Sequence, residues 1–135
     1  MKSDRVFRIR MSECRYRLAA ENVTAHAPRK PGVYRILCYD EKLACEVLYV
    51  GLGLPTVHHA LADQVMGNIR PTAGDLAKGG RELYFEFAVS ADVESDDEYK
   101  DIAAALILRD KPRMNSSARP PTSGRHGRVE AKEEG

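Results

Sequence analysis

The chain is predicted to fold as an α+β domain, a small three-stranded antiparallel sheet flanked by helices, with an extra strand and helix at the N-terminus. Three observations predict it. Two apolar runs, residues 33–39 and 44–50, flank a polar Asp40-Glu41-Lys42 turn and read as one β-hairpin. A later run, residues 83–89, alternates Tyr84, Glu86 and Ala88 against Phe85, Phe87 and Val89, the period of a strand. Between and beyond these strands, apolar residues recur at spacings of three and four, the period of a helix.

Each element has its own warrant. Phe7, Ile9 and Met11 alternate with Arg8 and Arg10, which predicts a half-buried or edge strand. Ser12 is a cap for a short helix through residues 14–20. Pro28 and Pro31 then hold the chain extended into Gly32. Gly51, Gly53 and Pro55 end the second hairpin strand, and Thr56 or Pro55 opens a helix with the stripe Leu54, Val57, Leu61, Val65. Residues 67–80 read as loop, with a short turn at 75–77. Ser95-Asp96-Asp97-Glu98 is an acidic helix start, and that helix runs to about Arg109 before Pro112 closes it. The last stretch is Ser-, Arg-, Pro- and Gly-rich with few apolar residues, so it is expected to be disordered. Three segments result: a basic extension over 1–30 packing on the domain, the domain itself over 31–116, and a tail over 117–135.

Composition narrows the function classes. At 135 residues the chain holds one core and needs no staples. Its 43% hydrophobic and 30% charged residues are those of a globular protein without a membrane partner. No apolar signal-peptide core follows Met1. Cys14, Cys38 and Cys45 form no C-x-x-C and cannot all pair, which fits a reducing, cytoplasmic setting. The net charge of +1 conceals a basic first third: residues 1–35 carry nine Lys/Arg against three Asp/Glu, whereas the rest is acidic. Arg8, Arg10, Arg15, Arg17, Arg29, Lys30 and Arg35 are therefore candidate phosphate contacts. A solvated, Arg-rich surface is the plainer reading of the same residues.

The hairpin carries two short motifs, Gly32-Val33-Tyr34 and Tyr49-Val50-Gly51. Ala27-Pro28-Arg29-Lys30-Pro31 precedes them, and Leu106-Ile107 with Lys111-Pro112 and Asn115 closes the region. Together these resemble the GIY-YIG nuclease superfamily, and in particular the N-terminal nuclease domain of the bacterial excinuclease. Fourteen residues separate Tyr34 from Tyr49, a longer connection than the family's but at small entropic cost. The resemblance implies a GIY-YIG-like fold, a DNA substrate met in DNA repair, and a Mg²⁺- or Mn²⁺-dependent endonuclease. It assigns proton acceptance to Tyr34 or Tyr49, charge neutralisation to an arginine on the following helix, metal binding to a glutamate on the later helix, and a supporting role to Asn115. Gly32 and Gly51 are the motif's structural glycines.

Two of those roles have no matching residue. The arginine position falls on His59, or on Ala60 if the register slips by one, and the first arginine after Gly51 is Arg70. The glutamate position is Ala103, followed by Ala104 and Ala105. Asp101 lies about 200° around the helix from it and Glu98 more than a turn away. His59 and Asp63 have an i, i+4 spacing that can hold a metal, but two ligands make a weak site, and a solvated helix face is the plainer reading. His58 reads as a partly buried neighbour of the apolar stripe, and Tyr84 and Phe87 as core or sheet aromatics. The expectation is a catalytically impaired domain that binds nucleic acid, DNA ahead of RNA. The alternatives are a divergent metal-dependent endonuclease with relocated residues, and a protein-interaction module.

Overall fold

Val33-Tyr34-Arg35-Ile36-Leu37 is an almost unbroken apolar run, the pattern of a strand covered on both faces, and it forms the centre of the molecule. The computed structural model describes residues 2–116 and 120–134. In chain order its elements are β1 (Arg5–Ile9), β2 (Tyr16–Arg17), α1 (Ala20–His26), β3 (Gly32–Tyr39), β4 (Cys45–Gly53), α2 (Val57–Met66), α3 (Ala73–Leu76), β5 (Tyr84–Ala88), a 3₁₀ turn (Asp96–Glu98), α4 (Tyr99–Asp110) and β6 (Val129–Glu133). The fold is mixed α+β. One antiparallel sheet has the order β2-β5-β3-β4, and β1 and β6 form a separate parallel pair.

The hairpin is in the expected place, with β4 running on through Gly51 to Gly53. Its register sets Tyr34 opposite Gly51 and Gly32 opposite Gly53. A bulge at Ile36/Leu37 inserts one extra β4 residue, so consecutive Leu48 and Tyr49 both pack towards the same cluster. On that face, Tyr34, Ile36 and Phe85 meet Val23 of α1, Val57 and Leu61 of α2, and Leu76 of α3. On the other face, Val33, Val50 and Ala88 meet Phe7 and Ile9 of β1 and Tyr99, Ile102 and Leu106 of α4. The sheet is thus the middle of three layers. Among the described residues no helix is long and apolar enough to cross a membrane.

Three expectations are corrected. The sheet has four strands rather than three, because residues expected to form a helix after Ser12 lie along the edge of β5 instead. Ser12 N–H donates to Phe87 O at 2.7 Å and Leu18 N–H to Leu83 O at 2.8 Å, with Tyr16 paired to Phe85 between them. That stretch instead satisfies backbone groups that the edge of β5 would otherwise expose. The helix begins later, at Ala20.

The third correction concerns the C-terminal segment, expected to be disordered. Residues 120–134 are placed, and β6 pairs with β1 from Arg5↔Val129 to Ile9↔Glu133. Polar anchoring replaces apolar burial there. Glu133 takes hydrogen bonds from Arg35 and Arg109, at 2.6 Å each, while Val129 and Ala131 touch the second cluster. Of the expected tail, residues 117–119 and 135 lie outside the described residues.

Candidate functional site

Tyr34 is a core residue. Only 1% of its surface is exposed, and its hydroxyl donates to Gln64 Oε1 at 2.7 Å. Burial, followed by the nearby Tyr49 and Asp63, pushes its pKa well above the usual tyrosine value. A tyrosine that accepts a proton needs the opposite shift. Tyr49, its ring centre 6.2 Å from that of Tyr34, is half-buried, and burial raises its pKa too. Both are neutral phenols at neutral pH. Tyr49, however, reaches a cavity.

That cavity, of about 600 Å³, opens at the β4 edge between α4 and the loop after α2. Tyr49, Arg70, Lys100, Ala103 and Asn115 line it. Asn115 serves the fold: Val50 N–H donates to its Oδ1 at 2.9 Å, and its Nδ2 donates to Val50 O at 3.0 Å. With Met114 N–H on Leu48 O it extends the sheet past its last strand and closes one wall. Gln64 links the opposite wall to the core, because its Nε2 donates to Pro71 O at 2.8 Å while its Oε1 holds Tyr34. This tether brings Arg70 back to the cavity from beyond the end of α2.

The electrostatic character follows from these residues. Arg70 makes no ion pair among the described residues, and Lys100 has only an exposed partner, Asp97, at 3.0 Å. No carboxylate lines the cavity among the described residues. Ala103 faces it from the position where the resemblance implies a metal-holding glutamate. Asp101 and Glu98 are directed elsewhere, to Ser123 and His126. Two cations and no carboxylate do not fit a Mg²⁺ or Mn²⁺ ion. They fit an anion, to which Tyr49 can add a neutral O–H donor.

No family model matches this chain, and no curated protein or solved structure matches it. The site therefore stands on its own geometry.

The remaining predicted residues separate into groups. His59 lies on the exposed face of α2, away from the cavity, with Nε2 3.2 Å from Asp63. Gly32 and Gly51 lie in tightly packed strands, where a Cβ at Gly32 would collide with Ala88 O and one at Gly51 with the Tyr34 ring. Of the seven basic candidates, Arg35 is buried and holds Glu86 at 3.0 Å, with Glu133 and Asp110 beside it. Arg15 engages Tyr39 Oη at 2.7 Å and Glu86 at 3.4 Å. Arg17 and Arg8 make exposed pairs with Glu82 and Glu134. Arg10, Arg29 and Lys30 are exposed and make no ion pair among the described residues. Arg35 is thus removed from the candidate interface, because it is a buried structural cation.

Sequence reasoning missed Arg70 and Lys100 as site residues. Lys100 was detectable, since with Ala103 and Ile107 it forms an i, i+3, i+7 stripe along α4. Arg70 was not, because the return of its loop depends on a hydrogen bond between Gln64 and a backbone carbonyl.

Proposed function

We propose that this chain is a GIY-YIG-like domain that binds nucleic acid, DNA ahead of RNA, through the Tyr49 cavity and does not cut it. One observation carries the reading: Arg70, Lys100 and Tyr49 line the cavity, with no lining carboxylate among the described residues. Its volume, about 600 Å³, is of the size that takes a small ligand or a single nucleotide unit. Phosphate contacts from two cations supply affinity and salt dependence. Cleavage in addition needs an activated nucleophile and a group that stabilises the leaving oxygen. Tyr34 is buried, Tyr49 keeps its proton, and Ala103 offers no ligand.

The test combines binding and cleavage. Labelled single-stranded, duplex and branched DNA are incubated with the full chain and Mg²⁺ or Mn²⁺, then resolved on native and denaturing gels. The reading predicts retarded but uncut DNA. Cleavage that survives repurification and disappears in Tyr49→Phe would establish the endonuclease alternative instead.

One observation favours a second reading, a protein-interaction module. Arg8, Arg15, Arg17 and Arg35 are engaged by this chain's own carboxylates, so much of the basic first third is already neutralised. That reading predicts no retarded DNA in the same gels.

A further inference from the structure

Glu98 ends the 3₁₀ turn that precedes α4, Asp101 lies in the first turn of α4, and His126 reaches them from the C-terminal segment 25 or more positions later in the chain. Each offers a ligand atom, and the three atoms lie within 4.8 Å of one another. We infer that Glu98, Asp101 and His126 form a binding site for a divalent transition-metal ion, which ties the C-terminal segment to α4. The site lies on a different flank of α4 from the Tyr49 cavity and is independent of the nucleic-acid reading.

Burial and charge point first to a cation. Glu98 and Asp101 are each 2% exposed. Among the described residues neither is within ion-pair distance of a Lys or Arg, and the one basic group at the cluster is His126, whose Nε2 is 2.5 Å from Glu98 Oε2. Two buried carboxylates against one imidazole leave net negative charge in the interior. Buried charge of this kind is held by pairing or by a metal.

The surrounding hydrogen bonds orient the ligands as supporting groups do around a metal. Glu94 and Ser95 N–H groups donate to Glu98 Oε1 at 2.7 and 3.2 Å, which turns Oε2 towards His126. Ser123 N–H donates to Asp101 Oδ1 at 3.0 Å and its hydroxyl to Oδ2 at 2.5 Å. These bonds leave each carboxylate with lone pairs to spare. The His126 ring packs against Phe7 in a T-shaped pair, with centroids 5.6 Å apart at 78°, which restrains its rotation.

The donor set selects the metal. One imidazole nitrogen with two carboxylates suits Zn²⁺ or Mn²⁺, whereas Ca²⁺ and Mg²⁺ favour all-oxygen shells. Asp101 and His126 also line a second cavity, of about 1100 Å³, between α4 and the segment 120–134. It provides an entry path and room for a fourth, exchangeable ligand, as in zinc sites with three protein ligands.

The experiment uses the chelator-stripped full chain. Zn²⁺ and, separately, Mn²⁺ are titrated by calorimetry with Mg²⁺ for comparison, thermal unfolding is followed, and the zinc-edge X-ray absorption spectrum is recorded. The expected results are one ion per chain, a raised unfolding temperature, and a first shell of nitrogen and oxygen only. His126→Gln and Asp101→Asn should each lose more than ~10-fold in affinity, while His59→Ala keeps it. The inference is overturned by absence of stoichiometric binding, by sulfur in the shell (from exposed Cys14 or Cys45), or by loss of binding in His59→Ala. Should either site variant fail to fold, the wild-type spectrum and His59→Ala still decide the matter.

Discussion

Gly51 faces Tyr34 across the hairpin, and the Tyr34 ring occupies the space a Cβ would need. The two halves of the tyrosine-glycine motif thus act together, one supplying the ring and the other the room for it. Gly51→Ala is expected to lower stability by about 1–3 kcal/mol through overpacking, read from the urea midpoint. Tyr34→Phe removes the hydroxyl that donates to Gln64 Oε1 and should cost about 1–3 kcal/mol. The separate bond from Gln64 Nε2 to Pro71 O, which tethers the Arg70 loop, does not involve that hydroxyl. Because the Tyr34 hydroxyl is sealed in the core, nucleic-acid affinity in Tyr34→Phe should stay within about threefold of wild type, a change of under 1 kcal/mol. A much larger loss would mean that Tyr34 acts on the ligand directly.

At the scale of elements, β6 depends on ionised carboxylates. Burial pushes the Glu133 carboxyl up, but hydrogen bonds and charge from Arg35 and Arg109 outweigh it and hold its pKa below the usual range. For Glu98 burial again acts upward, and the His126 contact with the Glu94 and Ser95 amides brings the pKa down. A carboxyl with a lower pKa folded than unfolded stabilises the fold above its unfolded value and ceases to as pH falls through the folded one. Residues 120–134 should therefore release before the hairpin as pH drops below about 4.3, the unfolded reference for glutamate. NMR amide signals of residues 129–133 moving to random-coil positions while those of β3 and β4 stay native would bear this out. Simultaneous loss of both sets would contradict it.

The same element shows what the sequence could and could not reveal. The hairpin, α2, β5 and α4 were legible because apolar periodicity and caps such as Thr56 and Ser95 are local signals. β6 was not, since Val129-Glu130-Ala131-Lys132-Glu133 resembles a solvated tail until β1, Arg35 and Arg109 are set beside it. β2 was hidden for a related reason: two residues pair with a strand almost seventy positions away. At the site, the motif tyrosines and Asn115 could be read, but not that Tyr34 bonds Gln64 in the core or that Asn115 bonds the Val50 backbone. The cations lining the cavity came together only through folding.

For the whole molecule, the central claim is that Arg70 and Lys100 make the Tyr49 cavity a contact for a phosphate backbone. In the basic first third Arg8, Arg15, Arg17 and Arg35 are internally paired and Arg10, Arg29 and Lys30 make no ion pair among the described residues, while Arg70 and Lys100 line the Tyr49 cavity. The claim is most directly tested by the salt dependence of DNA binding, followed by fluorescence anisotropy from about 50 to about 200 mM salt. Wild type is compared with the double variant Arg70→Ala/Lys100→Ala. The account predicts that affinity falls with salt, and that the double variant binds roughly 10-fold or more weakly, with a log–log slope shallower by about 2. No measurable binding at about 50 mM salt, or equal affinity and slope in the two proteins, would contradict it.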